Sequence, residues 1–246
     1  MDNKYYNTIF KRKSFHLFRN LGDEKLTQDE LENIITEYKN FDSLYADIKT
    51  EIKIIPSKKK GAEYQIEIYS EKKDNYLMNA GYIGERLDLY LQYNNIASLW
   101  CGIDKPDEKI YHGLDYVIMF HIRKVSDETK YRADMFKAKR KDLEDIWQGD
   151  TLNIANIARF APSAVNSQPW YVENENGTLT VYRYKKPGRI GIMNTKSARY
   201  FNRIDIGIYL CVLEICMHNE NIKFDRKLFF DDGTDQKLTK VAEYKL

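Results

Sequence analysis

The run Leu114-Asp115-Tyr116-Val117-Ile118-Met119-Phe120-His121-Ile122 constrains the fold more than any other stretch of the chain. A strand with one face in water alternates apolar and polar side chains. This one is apolar almost throughout, so both faces must be covered, and it reads as the centre of a sheet. The flanking sequence supplies helices to cover it. Thr27-Gln28-Asp29-Glu30 has the form of a capping box and is followed by Leu31, Ile34, Ile35 and Tyr38 at helical spacing, which predicts a helix over 27–40. From Asn79 to Asn95, Ile83, Leu87, Tyr90 and Leu91 mark one stripe, and Gly81 and Gly84 admit the close approach of a backbone or a ligand. A similar stripe of Ile204, Ile208, Cys211 and Ile215 predicts a helix over 204–218.

Short strands are expected at 51–55 and 63–69, on either side of the turn-prone Pro56 to Gly61. Two more, at 171–172 and 179–182, flank Asn174 to Gly177 and form a hairpin, and a last strand runs from Lys223 to Phe230. Thr151 opens a helical pattern through Ile154, Ile157 and Ala158 that Pro162 stops. The charge-rich stretch from Lys124 to Lys141 reads as a linker or crossing arm, and a short amphipathic piece with Leu143, Ile146 and Trp147 follows it, ended by Gly149. Ile83-Gly84 and Ile206-Gly207 stand alike before Leu87 and Leu210, each in a helix after a strand pair, as in an internal duplication. Periodicity thus gives an α+β sandwich.

Charge and composition exclude several function classes. With 39 basic residues against 37 acidic ones, the chain has no global field to gather nucleic acid or anionic lipid. No apolar run approaches the length of a membrane span, and the mixed charge of Met1-Asp2-Asn3-Lys4 is unlike a signal peptide, so a cytoplasmic protein is expected. Cys101, Cys211 and Cys216 have no disulfide or zinc-site spacing and read as apolar filler in reducing surroundings. His16, His112, His121 and His218 are scattered, and no glycine-rich dinucleotide turn, phosphate loop or serine-hydrolase elbow is present. The 19 tyrosines and 11 phenylalanines suit the walls of a ring-binding slot as well as an ordinary core.

The most informative stretch is Ala161-Pro162-Ser163-Ala164-Val165-Asn166-Ser167-Gln168-Pro169-Trp170. A helix must end before Pro162, and the small residues after it leave amides, a hydroxyl and two carboxamides on a loop running into a strand. Those groups either satisfy their own turn or face a planar, hydrogen-bonding ring. The string resembles the Ala-Pro-Ser-x-x-Asn-x-Gln-Pro-Trp signature of nitroreductase-like flavoproteins. Ile9-Phe10-Lys11-Arg12-Lys13-Ser14, with His16, is similar to that family's opening basic motif. Ala80-Gly81-Tyr82-Ile83-Gly84 through Leu99-Trp100-Cys101-Gly102 resembles its glycine-entered helix and the loop after it, and Lys139-Arg140-Lys141-Asp142-Leu143-Glu144 its closing basic stretch.

The resemblance implies a nitroreductase-like α/β/α sandwich with a mixed, mainly antiparallel sheet. In typical relatives the Ala-Pro-Ser motif precedes the glycine helix, whereas here it follows it, which places the chain near a divergent branch where one chain imitates the usual dimer. Residues 1–148 would be one related half and 149–246 the other, sharing one core, as a monomeric pseudo-dimer or within a homodimer. The implied cofactor is FMN. Arg12, Lys13, Ser14 and His16 would meet its phosphate and ring edge, with Arg140 and Lys141 as a phosphate clamp. Leu99, Trp100, Cys101 and Gly102 would pass the middle of the ring, and Pro162, Ser163, Ala164, Asn166 and Gln168 would press against it. By the same resemblance, NADH or NADPH gives hydride to the flavin and a small molecule, such as a nitroaromatic or a quinone, takes the electrons in a ping-pong cycle. No protein side chain need act as acid or base, and Trp170 or a nearby tyrosine would wall the acceptor slot. Lys58-Lys59-Lys60 would lie outside the site. A protein that stores or senses FMN without turnover is the other reading.

Overall fold

The computed structural model describes residues 3–185, 193–233 and 236–246; Met1 and Asp2, which open the charged N-terminus, lie outside them. The helices are α1 (Asn3–Lys11), α2 (Gln28–Asn40), α3 (Tyr76–Tyr93), α4 (Ala155–Ala158) and α5 (Thr195–Asn219). The strands of the first half are β1 (Thr50–Pro56), β2 (Tyr64–Ser70), β3 (Ile96–Cys101), β4 (Ile110–Tyr111) and β5 (Leu114–Lys124). Those of the second are β6 (Trp147–Gly149), β7 (Trp170–Glu175), β8 (Thr178–Tyr184), β9 (Asp225–Leu228) and β10 (Leu238–Lys245).

The capping box of α2 is complete: Thr27 Oγ1 accepts from the Glu30 amide and the Glu30 carboxylate accepts from the Thr27 amide. The continuously apolar strand forms as β5 and is central, hydrogen-bonded to β2 on one side and β3 on the other, with Val117 to Ile122 buried. Its sheet runs β1-β2-β5-β3, with β4 added against β5. The second sheet runs β6-β7-β8-β10-β9 and is antiparallel except for the parallel pair β6 and β7. The class is α+β with mainly antiparallel strands, as expected, but the strands divide into two sheets rather than one. The hairpin of β7 and β8 turns on Asn176 and Gly177, both at positive φ (49° and 74°), which a two-residue loop matched to strand twist requires.

Helices α3 and α5 pack on one another, α3 against the first sheet and α5 against the second. Their crossing rests on two glycines. A Cβ at Gly81 would collide with the carbonyl of Ile204, and one at Gly207 with the carbonyl of Met78. Each glycine therefore sits beneath the carbonyl three residues ahead of the other, a reciprocal contact that pairs Gly81 with Gly207. Gly84, which the sequence pattern aligns with Gly207, instead makes room for the Trp100 ring. The wiring matches too, apart from the short β4: in each half a helix, a strand pair, a long helix, an edge strand and an inner strand follow in order.

Several elements differ from expectation. Helix α5 begins at Thr195, a full two turns before the apolar stripe, capped by the Asn194 side chain accepting from the Ser197 amide. The helical pattern before Pro162 shrinks to the four residues of α4. β3, read as a loop, is a strand because its groups pair with β5, and α1, β6 and β10 were not expected. The arm from Lys124 to Lys141 is a chain of short 3-10 turns in which Asp127 and Asp134 cap the amides of Thr129 and Phe136, and Arg132 N–H donates to the Lys11 carbonyl at 3.0 Å.

Candidate active site

The loop after α4 is held in an uncommon backbone conformation. Val165, Asn166 and Gln168 all have positive φ (46°, 56° and 47°), which a β-branched valine adopts at a cost of about 1–3 kcal/mol. Side chains hold it there. Asp205 of α5 accepts from the Ala164 amide at 2.9 Å and from the Ser167 hydroxyl at 3.2 Å, and Ser163 Oγ accepts from the Gln168 amide at 3.0 Å. Burial pushes the Asp205 carboxyl up to about 7, against the opposing pull of the Ala164 and Ser167 hydrogen bonds.

Facing this loop is the end of β3. Ser14 bridges to Ser98, and the Phe15 amide donates to the Ser98 carbonyl at 3.1 Å, so the N-terminal segment lies alongside Leu99 and Trp100. The Trp100 ring packs on Phe120, centroids 4.2 Å apart, and its Nε1 donates to Asp88 at 3.2 Å. Phe201, Ile204, Asp205 and Ile208 of α5 form the third wall. Together these enclose a cleft of about 400 Å³, mostly apolar, with exposed Ile103 and Val165 at its rim. The expected Ser14, His16, Leu99, Trp100, Cys101 and Gly102 all line it, and so do Pro162, Ser163 and Ala164. Segments distant in sequence thus meet in one cavity.

The remaining expected residues do not line the cleft. Arg12 is buried, its Nε donating to Asp88 at 2.7 Å with Glu85 at 3.8 Å, because two carboxylates of α3 claim it. The Lys13 ammonium donates to the Lys130 carbonyl at 2.7 Å. Arg140 donates to Asn166 Oδ1 at 3.1 Å and to the Phe160 carbonyl at 3.0 Å. Lys141 donates through its amide to Gln168 Oε1 at 2.8 Å and through Nζ to the Gln168 carbonyl at 2.7 Å. Arg140, Lys141, Asn166 and Gln168 therefore brace the loop from behind.

These cations nevertheless gather. Burial first, then the positive charges of Arg12, Arg132 and Arg159, hold the Arg140 guanidinium down to about 10. Arg132 is lowered by burial and by Arg12 in the same way. Arg140 Nε and a terminal nitrogen of Arg12 are buried without a hydrogen-bond acceptor among the described residues. A cluster of like charges with buried, unmet donors is the environment an anion relieves.

The family model described as "Putative TM nitroreductase" matches residues 4–217. The chain belongs to this family. A "putative nitroreductase" structure from Thermotoga maritima superposes on this nitroreductase-family chain with a TM-score of 0.64 at 16% identity, covering 98% of this chain and 93% of that one. A nitroreductase with bound FMN from Desulfitobacterium hafniense DCB-2 aligns with a TM-score of 0.40 at 14% identity, over 58% of this chain and all of its own. No curated protein matches.

Within this nitroreductase-family fold, sequence reasoning missed the α5 wall. Phe201, Ile204, Asp205 and Ile208 stand at helical spacing, and that stripe was the available signal, although it reads equally as core. Lys59 lines the cleft, contrary to its reading as outlying surface, because the turn after β1 reaches β5, where Ser57 meets His121. Trp170 is not a wall of the cleft: it is 1% exposed and stacked on Tyr209, centroids 4.8 Å apart. Met193 lines the cleft with no sequence signal at all.

Proposed function

We propose that the cleft binds FMN, one per chain, and that the protein is an FMN-dependent oxidoreductase. The observation that carries this reading is the cluster of Arg12, Arg132, Arg140 and Arg159 beside an apolar, ring-sized cleft, with Arg140 bonded to Asn166 of the loop on one wall and Arg12 tied through Asp88 to Trp100 on the other. The phosphate would reach past the cleft's lining to Arg132 and Arg140, Arg140 giving up its neutral contact with Asn166 for it, with Arg12 completing the positive field from beneath Trp100. The apolar walls, Trp100 on one side and Ile204 and Ile208 on the other, sandwich the ring and exclude water from it. His16, exposed at the mouth, offers a donor to the polar edge of the ring. When bound, FMN would supply the redox chemistry, that of ping-pong transfer between NADH or NADPH as hydride donor and a small acceptor such as a nitroaromatic or quinone.

The two halves, 1–148 and 149–246, are read as related units whose junction makes the site. The matched wiring and the reciprocal glycines support this. So does a shared device: Asn79 on α3 accepts from the Tyr45 amide at 2.9 Å, as Asp205 on α5 accepts from the Ala164 amide. The corresponding place, lined by Asp42 and Ser43, is a broader cleft of about 730 Å³. Its floor is charged, with Glu214 accepting from Tyr82, Tyr244 and Arg226, which favours one flavin per chain rather than two.

The protein reconstituted with FMN should be yellow, quench flavin fluorescence at one equivalent and bleach when NADH or NADPH is added without oxygen. Colour without bleaching would favour a flavin store or sensor. Failure to take up FMN would overturn the proposal.

A further inference from the structure

Beyond Gly102 the chain turns back across the first sheet. The Asp107 amide donates to Glu67 at 2.7 Å and the Tyr69 hydroxyl to the Glu108 carbonyl at 2.9 Å. Under this turn lie three side chains of different chemistry. Leu99 pairs with His121 and Cys101 with Met119, so Cys101 and His121 project from the same face of the sheet as diagonal neighbours. Asp104 comes over them from the turn. One donor atom each from Cys101, Asp104 and His121 lies within 4.8 Å of the others. Asp104 Oδ2 is 2.8 Å from His121 Nε2, and Ser57 Oγ is 2.8 Å from His121 Nδ1.

We infer that Cys101, Asp104 and His121 form a binding site for a divalent transition-metal ion of the zinc class, with a water completing its shell. A thiolate, an imidazole and a carboxylate together suit Zn²⁺ or Co²⁺ and not the hard cations Mg²⁺ and Ca²⁺. Bonds of about 2.0–2.3 Å place tetrahedral donors roughly 3.3–3.7 Å apart, so small side-chain rotations bring the three onto one ion. Ser57 fixes the imidazole through its other nitrogen, the arrangement that orients histidine ligands. Cys101 and His121 are buried while the Asp104 side chain is 42% exposed, which leaves the water position open on the solvent side. Binding displaces the Cys101 thiol proton to solvent. The two anionic donors then cancel the charge of the ion, and neighbouring Lys59 meets a neutral site.

Such an ion would clip residues 102–109 onto β5. Gly102 and Ile103 line the cleft, so the clip fixes one of its walls. The inference stands on these donors alone and not on the flavin reading.

The full chain, stripped with a chelator and desalted, is titrated with Co²⁺ and then Zn²⁺, with flavin content recorded on the same samples. One Co²⁺ per chain is expected, with ligand-field bands to the red of oxidised flavin and a thiolate charge-transfer band, all bleached by Zn²⁺. Cys101→Ser should abolish the charge-transfer band, and Asp104→Asn, an isosteric change at a partly exposed position, should weaken Co²⁺ binding by at least about tenfold in protein shown to be folded by circular dichroism. Ser57→Ala should weaken it by roughly 10–100-fold while keeping the charge-transfer band. Folded wild-type protein without ligand-field bands, or Co²⁺ binding unchanged in both ligand variants, would overturn the inference whatever the flavin content.

Discussion

Arg12 Nε and Trp100 Nε1 donate to the same oxygen of Asp88, at 2.7 and 3.2 Å. The arginine thus supports a wall of the cleft from beneath. Burial also pushes the nearby Glu85 carboxyl well above the usual carboxylate range, with Arg12 drawing it back. Arg12→Ala removes the partner of a buried carboxylate, which costs about 3–5 kcal/mol. The urea midpoint of the flavin-free protein should fall accordingly, and flavin retention should suffer as a consequence of the loosened wall.

Arg140 is the contrasting case. It is crowded by like charges and braces the loop only through neutral hydrogen bonds, so relief of the repulsion offsets the lost contacts and Arg140→Gln should leave the flavin-free urea midpoint close to wild type. Hydrogen bonds to charged groups are worth about 1.5–3 kcal/mol, so FMN affinity should drop roughly 10–100-fold. Riboflavin, lacking the phosphate, should bind the variant and wild type equally in a fluorescence titration. Equal losses for both flavins would remove Arg140 from the proposed phosphate site.

The Asp205 carboxyl gives a pH signature. Its folded value of about 7 lies above the ordinary value of about 3.9, so between them the folded chain holds a proton that the unfolded chain has released. Its contribution to stability is present in full below pH 4 and is lost as pH rises to about 7. Asp205→Asn keeps an oxygen for the Ala164 amide, as Asn79 does for Tyr45, and has nothing to titrate. Thermal melts should show the variant gaining on wild type across that window and holding a constant lead above it. A difference independent of pH would refute the assignment.

The helix crossing has no room for a methyl group. Gly81→Ala and Gly207→Ala each force α3 and α5 apart, at a cost of about 1–3 kcal/mol or more for overpacking. Both should lower the thermal midpoint, whereas Ala80→Gly on the same helix should cost only about 1 kcal/mol of helix propensity plus the lost methyl contact.

Much of the fold was legible because the signals were local. The capping box at Thr27, the apolar run of β5 and the Asn176-Gly177 turn each specify their own geometry. β3 escaped because Ile96 to Cys101 is short and gains its strand character from pairing with β5. At the site, the Pro162 loop and the Ser14 segment were readable from their motifs. The motifs could not show which cations face the cleft: Arg12 is claimed by Asp88 and Glu85 on α3, a partnership across 76 residues of chain. Cys101 and His121 looked unrelated for the same reason, since only the register of β3 on β5 makes them neighbours.

The locked crossing of α3 and α5 also bears on what the protein can admit. One jaw of the cleft follows directly from α3 through β3, and the other is α5 itself, so the close approach of the two helices at Gly81 and Gly207 sets the width of the gap. Guests would then be sorted by thickness before any functional group is read, with flat conjugated molecules entering and bulky saturated ones turned away unless the tips at Ile103 and Val165 swing outward.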